Sequence, residues 1–230
     1  MENIWRENMK SRFLVIAPHA DDEILGVGGT IARLIDEGWD SYILICTKGY
    51  PPDFDEDVVK KIREEAKLAH KYLGVKETVF LDFPAANLDG VFYKELNKSL
   101  LQILENIKPD IIFIPFNSDL HIDHQKIFSS SLVASRPGNS FTPKKIYTYE
   151  TLSETNWNAP YLTTNFAPNV FVDISHYLDK KIEAITFYKS QLKEFPHERS
   201  IEAIRALAML RGSTINTNAA EAFVLIREII

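Results

Sequence analysis

A chain of 230 residues, 45% hydrophobic and 25% charged, has ordinary globular composition and enough length for one large domain. Its formal net charge of −6 argues against non-specific nucleic-acid or anionic-membrane binding, which needs a basic surface. One cysteine, Cys46, excludes an intrachain disulfide, no apolar run reaches the roughly 18 residues of a membrane span, and no signal-peptide core opens the chain. The sequence therefore reads as a cytoplasmic protein.

Residues 1–11 read as an N-terminal extension and 12–230 as a single domain. Phe13 to Ala17 is a short continuous apolar run, the pattern of a strand buried on both faces. Tyr42 to Cys46, Thr78 to Leu81 and Ile111 to Ile114 repeat it. Helical stripes lie between the strands. Val59, Ile62, Ala66, Ala69 and Leu73 form one, stopped by Gly74, and Phe92, Leu96, Leu100, Leu104 and Ile107 form another. This alternation predicts an α/β fold: a three-layer, Rossmann-like sandwich with a mainly parallel sheet. After about residue 135 the rhythm changes. A turn is expected at 136–140, a strand at 145–149, and a long loop at 151–169 that Trp157, Tyr161 and Phe166 should pack down. A strand at 170–173 precedes a helix capped by Ser175 and carrying Leu178, Ile182, Ile185 and Leu192. A helix from Glu198 to Leu210, stopped by Gly212, and a strand from Ala222 to Ile226 complete the prediction.

Ligand sites in such sheets form beyond the carboxyl ends of the strands. Two strand ends here are rich in ionisable groups: Pro18-His-Ala-Asp-Asp-Glu23 and His121-Ile-Asp-His124. Unpaired buried carboxylates are costly, and a cation would neutralise them. A plainer alternative is acidic capping of two helices with nearby surface histidines. Two such motifs at neighbouring strand ends favour the metal, and a His-plus-carboxylate set suits Zn²⁺ or Fe²⁺ better than Mg²⁺ or Ca²⁺.

With Gly28-Gly29-Thr30 following, the first motif resembles the P-H-P-D-D-E signature of the PIG-L/LmbE-like metal-dependent de-N-acetylases, Ala20 standing for the internal proline. His121-Ile-Asp123-His124 is similar to the family's H-P-D-H motif, again without the proline. Arg63-Glu-Glu-Ala66 before Leu73-Gly-Val75, a helical Ser190-Gln191, and Ala220-Glu-Ala-Phe223 extend the resemblance over about 12–226.

The resemblance implies His19, Asp22 and His124 as metal ligands and Asp21 as general base. It also implies His121 as the histidine assisting the tetrahedral intermediate, Asp123 as the carboxylate orienting a histidine, and Arg63 as a substrate contact. Glu23 is expected to hydrogen-bond backbone or supporting groups. The implied activity is zinc-dependent hydrolysis, by metal-activated water, of the acetyl group of an N-acetylated amino sugar or glycoconjugate. Fe²⁺ or another divalent transition metal could replace zinc, and a homo-oligomer is compatible with the sequence.

The alternative is a catalytically inactive sugar or nucleotide-sugar binding module of the same fold. A phosphate loop at Gly26-Val-Gly28-Gly29 fits poorly, because Asp21 to Glu23 would face the phosphates with the wrong sign. A Cys46 nucleophile lacks an adjacent base, so Cys46 is read as core. His70 is expected on a solvated helix flank, His176 in local contacts and His197 in a turn. Arg205 and Arg211 are read as solvated or locally paired.

Overall fold

The computed structural model describes residues 10–138 and 141–230. Residues 1–9 of the expected extension, and the end of the turn at 136–140, lie outside them. The chain alternates β1 (Arg12–Ala17), α1 (Asp22–Asp36), β2 (Asp40–Lys48), α2 (Glu56–Leu73), β3 (Glu77–Pro84), α3 (Tyr93–Ile107), β4 (Ile111–Pro115) and α4 (Ile122–Ala134). It continues through β5 (Lys145–Tyr149), β6 (Val170–Asp173), α5 (Leu178–Thr186), α6 (Ile201–Ser213) and β7 (Ala220–Glu228).

The strands form one seven-stranded sheet in the order β3-β2-β1-β4-β5-β7-β6. β1 pairs in parallel with β2 and β4, β2 with β3, and β4 with β5. Only β7 runs against its neighbours, inserted between β5 and β6. The alternation of β1 explains its continuous apolar run. Phe13, Val15 and Ala17 face one helical layer with residues of α1, α2, α5 and α6, while Leu14 and Ile16 face α3 and α4. The predicted three layers are therefore present. After β1 the chain builds outward to β2 and β3, then returns to lay β4 on the other side of β1. The crevice beyond the ends of β1 and β4 is thus the topological switch point of the sheet, where open α/β folds place their sites.

Gly26 and Gly29 set the approach of α1 rather than a phosphate loop. A Cβ on Gly26 would lie 2.3 Å from the Tyr149 ring, and one on Gly29 would lie 2.6 Å from Ile174 Cδ1. Tyr149 is fully buried, and its hydroxyl donates to the Ile16 carbonyl at 3.0 Å, so it cannot swing aside. Gly26→Ala is expected to cost about 1–3 kcal/mol, as overpacking of a filled core does. Thermal unfolding checks this, and an unchanged Tm would mean that the helix can move off the ring. The same helix makes unusual polar contacts deep in the core. Glu221 of β7 accepts from the N–H groups of Gly29 and Thr30 at 2.9 and 2.7 Å, and Lys181 of α5 bridges Glu221 and the Leu25 carbonyl.

Several expectations for the second half need correction. Ser175 does not cap a helix: its N–H and Oγ both donate to Asp173 Oδ1, and α5 starts only at Leu178. α5 ends at Thr186, so Leu192 and Ser190-Gln191 lie in the turns that follow. Ser200, whose Oγ accepts from the Ala203 N–H, caps α6, which begins at Ile201 against an expected start near Glu198, and Gly212 falls inside that helix. In the 151–169 loop Phe166 packs edge-on against Phe116, but Trp157 and Tyr161 are exposed. No helix among the described residues is long and apolar enough to cross a membrane.

Candidate active site

The two acidic motifs meet at the switch point. His19 and Asp21 lie between β1 and α1, Asp22 opens α1, His121 is the N-cap of α4, and Asp123 and His124 are in its first turn. His19, Asp22 and His124 each present a ligand atom, all within 4.8 Å of one another. Asp22 Oδ2 is the meeting point, 3.4 Å from His19 Nδ1 and 3.2 Å from His124 Nε2.

The other nitrogen of each ring is held by a second carboxylate. His19 Nε2 lies 3.0 Å from Asp123 Oδ2, and His124 Nδ1 lies 2.8 Å from Asp119 Oδ2. Such pairing fixes ring orientation and leaves the opposite nitrogen to face a cation. His124 Nε2 is buried and faces Asp22 Oδ2 without a well-formed hydrogen bond, the arrangement of two donors aimed at one shared cation. Burial works against the imidazolium forms, yet Asp123 and Asp22 lift His19 to about 9, and Asp22 and Asp119 lift His124 to about 10. The pocket is negative enough to hold extra positive charge, and the donor set fits a divalent transition metal.

A second grouping, His19, His121 and Asp123, also lies within 4.8 Å, but it shares His19. Asp123 Oδ2 already accepts from the Ala86 N–H at 2.7 Å, and His121 Nδ1 from the Asp123 N–H at 3.1 Å. These residues support the first cluster rather than compose another. The histidine that Asp123 meets directly is His19, since His121 Nδ1 is 4.0 Å away. Burial and neighbouring His19 hold His121 below the ordinary histidine range. Its neutral ring therefore carries the proton on Nε2, because Nδ1 is accepting.

Asp21 points elsewhere. Its backbone has φ 121° and ψ −29°, a conformation that costs a non-glycine residue about 1–3 kcal/mol. Its Oδ2 lies 3.1 Å from Arg199 Nη1, while Asp22 faces the histidines. Burial pushes the Asp21 carboxyl upward against the pull of that guanidinium. Arg199 is itself fixed by Ser153 Oγ at 2.7 Å and Glu154 Oε1 at 3.6 Å. Burial also opposes the charge of Asp22, but His124 and His19 hold it far below the carboxylate range. Asp21, Arg199, Glu154, His19 and His121 share the wall of a cavity of about 290 Å³ with the apolar Ile45, Phe54, Val59 and Ile62.

Arg63 lies on the same wall, with Nη2 donating to the Leu81 carbonyl and Asp82 Oδ1 at 2.9 and 2.6 Å. Glu23 is fully buried and accepts from the Asp21 N–H at 3.1 Å, in keeping with the supporting role expected of it. His70 is a correction: it is buried, with Nε2 3.0 Å from Glu23 Oε1 and Nδ1 2.8 Å from Thr78 Oγ1. Cys46 is buried, and burial pushes its thiol up, away from nucleophilic use. Arg205 and Arg211 pair locally with Asp179 and Glu150. Sequence reading missed Asp119, Arg199 and Glu154. Asp119→Ala is expected to weaken metal affinity by about 10–100-fold. Titration of the apo protein with Zn²⁺ measures it, and unchanged affinity would remove Asp119 from the support of His124.

A family model described as PIG-L, GlcNAc-PI de-N-acetylase, matches residues 14–135, and the chain belongs to that family. It is 27% identical over 223 residues to the diacetylchitobiose deacetylase of Thermococcus kodakarensis, covering 93% of this chain and 82% of that one. Among solved structures it resembles the conserved protein TT1542 of Thermus thermophilus, with a TM-score of 0.78, 28% identity and coverage of 95% and 96% of the two chains. It also resembles the N,N′-diacetylchitobiose deacetylase of Pyrococcus horikoshii, at a TM-score of 0.76 and 26% identity, covering 94% of this chain and 84% of that one.

Proposed function

We propose that the protein is a metal-dependent N-deacetylase acting on an N-acetylated amino sugar or glycoconjugate. The observation that carries this reading is the separation of two adjacent carboxylates. Asp22 joins His19 and His124 around a common point, whereas Asp21 is held apart by Arg199 on the cavity wall. That division supplies a cation site and a free base side by side, as amide hydrolysis requires. His19, Asp22 and His124 would hold the metal, with zinc the first choice and Fe²⁺ the second. Bound there, a divalent cation supplies Lewis acidity and a nucleophile at neutral pH.

The protein's own groups do the rest. An Asp21 carboxylate oxygen accepts a proton from the attacking water, and Asp21 or His121 gives one to the leaving amine. His121, with its proton on Nε2, donates to the carbonyl oxygen as that atom gains charge. Asp123 fixes the His19 ring, and Arg63 on the wall is available to an anionic substituent of the substrate. Ile45, Phe54, Val59 and Ile62 give the cavity an apolar wall beside these polar groups. The test is acetate release from N-acetylglucosamine, N,N′-diacetylchitobiose and N-acetylglucosaminyl conjugates, with metal content measured on the same sample. Acetate appearing in proportion to bound metal supports the reading. Binding of these sugars without acetate release would favour the inactive binding module instead.

A further inference from the structure

Asp21 reaches its position through a backbone conformation that its own sequence does not favour, and a buried polar network meets it there. The Asp21 N–H donates to Glu23 Oε2 at 3.1 Å. The other oxygen, Oε1, receives the Tyr188 hydroxyl and lies 3.0 Å from His70 Nε2. His70 is braced in turn by Thr78 Oγ1 at 2.8 Å. Glu23 and Tyr188 are fully buried and His70 nearly so. The members come from the first turn of α1, from α2, from β3 and from the turns after α5, so the network joins separate parts of the fold. A carboxylate that served only the start of α1 could sit in water. Here it is buried, with both oxygens used and one of them spent on the backbone of the residue before the helix.

We propose that Glu23, held by Tyr188 and His70, is a positioning residue that locks Asp21 in its positive-φ conformation and so keeps the Asp21 carboxylate on Arg199 and apart from Asp22. The proposal rests on the reading of Asp21 as the base. Relaxing φ from 121° to the negative region would re-aim the N–H and the side chain together. The carboxylate would then leave the cavity wall or crowd the cation site. The network thus works on the geometry of the proton-transfer step, without touching substrate.

Tyr188→Phe is the mild test, because the ring and its packing remain. With N,N′-diacetylchitobiose, or the fastest substrate of the acetate-release panel, kcat is expected to fall about tenfold, since small misplacements of a catalytic group carry large losses. KM should stay within about twofold and metal stoichiometry should not change. In an Asp21→Asn background the same substitution should change kcat by less than about twofold, because the group it positions is already disabled. Losses that multiply in the double variant would overturn the proposal, as would a Tyr188→Phe enzyme with lowered Tm but full kcat. A fully active Asp21→Asn enzyme would instead overturn the reading of Asp21 on which the proposal rests. A second readout is independent of turnover. In a crystal structure of Glu23→Leu, which removes the acceptor of the Asp21 N–H, Asp21 is expected at negative φ and off Arg199, and retention of positive φ with the Arg199 contact intact would overturn the proposal. A structure of Tyr188→Phe, read the same way, serves where Glu23→Leu does not fold.

Discussion

Asp21→Asn should leave metal content and folding intact while lowering kcat by about 10²–10⁴, the usual range for loss of a general base. The amide keeps the size of the carboxylate and an oxygen for Arg199 Nη1, now 3.1 Å from Asp21 Oδ2, but cannot take a proton from water. KM should move little, because the loss lies in the chemical step. Acetate release at saturating substrate, alongside metal analysis, measures the effect. Metal lost together with activity would place Asp21 among the ligands, a result opposed by its orientation toward Arg199 and away from His19 and His124.

His124→Ala should abolish stoichiometric metal after dialysis and activity with it. The expected affinity loss exceeds the roughly 10–100-fold that follows removal of an outer partner, because the variant removes a donor atom. It should also change stability. His124 is buried between Asp22 and Asp119, themselves buried, so its removal leaves two buried carboxylates without the ring that pairs with both. A fall in Tm is expected in chelator-treated protein as well, which distinguishes the fold's need for His124 from the cation's. Full metal occupancy in the variant would show that another residue completes the set.

The meeting of the two motifs was legible because each is compact in sequence and each stands at a strand end, so topology alone brings them together. β1, β4 and the stripes of α2 and α3 were legible because they are buried regularly, and regular burial leaves a period in the sequence. What failed was the run between α5 and α6, where turns bring in Tyr188 and Arg199 without periodicity. Arg199 lies 178 residues from the carboxylate it pairs with, and no local pattern encodes that distance. His70 is different. It follows Ala69 and stands four residues after Ala66, both in the buried stripe of α2, so its burial could have been read from the helix. Asp119 left a signal too, two residues before His121 and five before His124. Trp157 and Tyr161 misled because aromatic content alone does not say what a loop packs against.

The contact between Glu221 and α1 bears on the order in which the molecule comes together. β6 reaches the sheet only through β7, and the carboxylate at Glu221 is the partner of Lys181 and of two N–H groups in the helix that opens with Asp22. A growing chain that has produced everything up to residue 219 already owns each residue of the candidate site. It still has β6 without a neighbour, Lys181 without its counter-charge and α1 without its anchor. The strand that supplies these contacts, β7, contributes no group to the cavity wall, so its part is to hold α1 and β6 in place. Of the three candidate ligands only Asp22 rides on α1 itself, the helix that Glu221 holds.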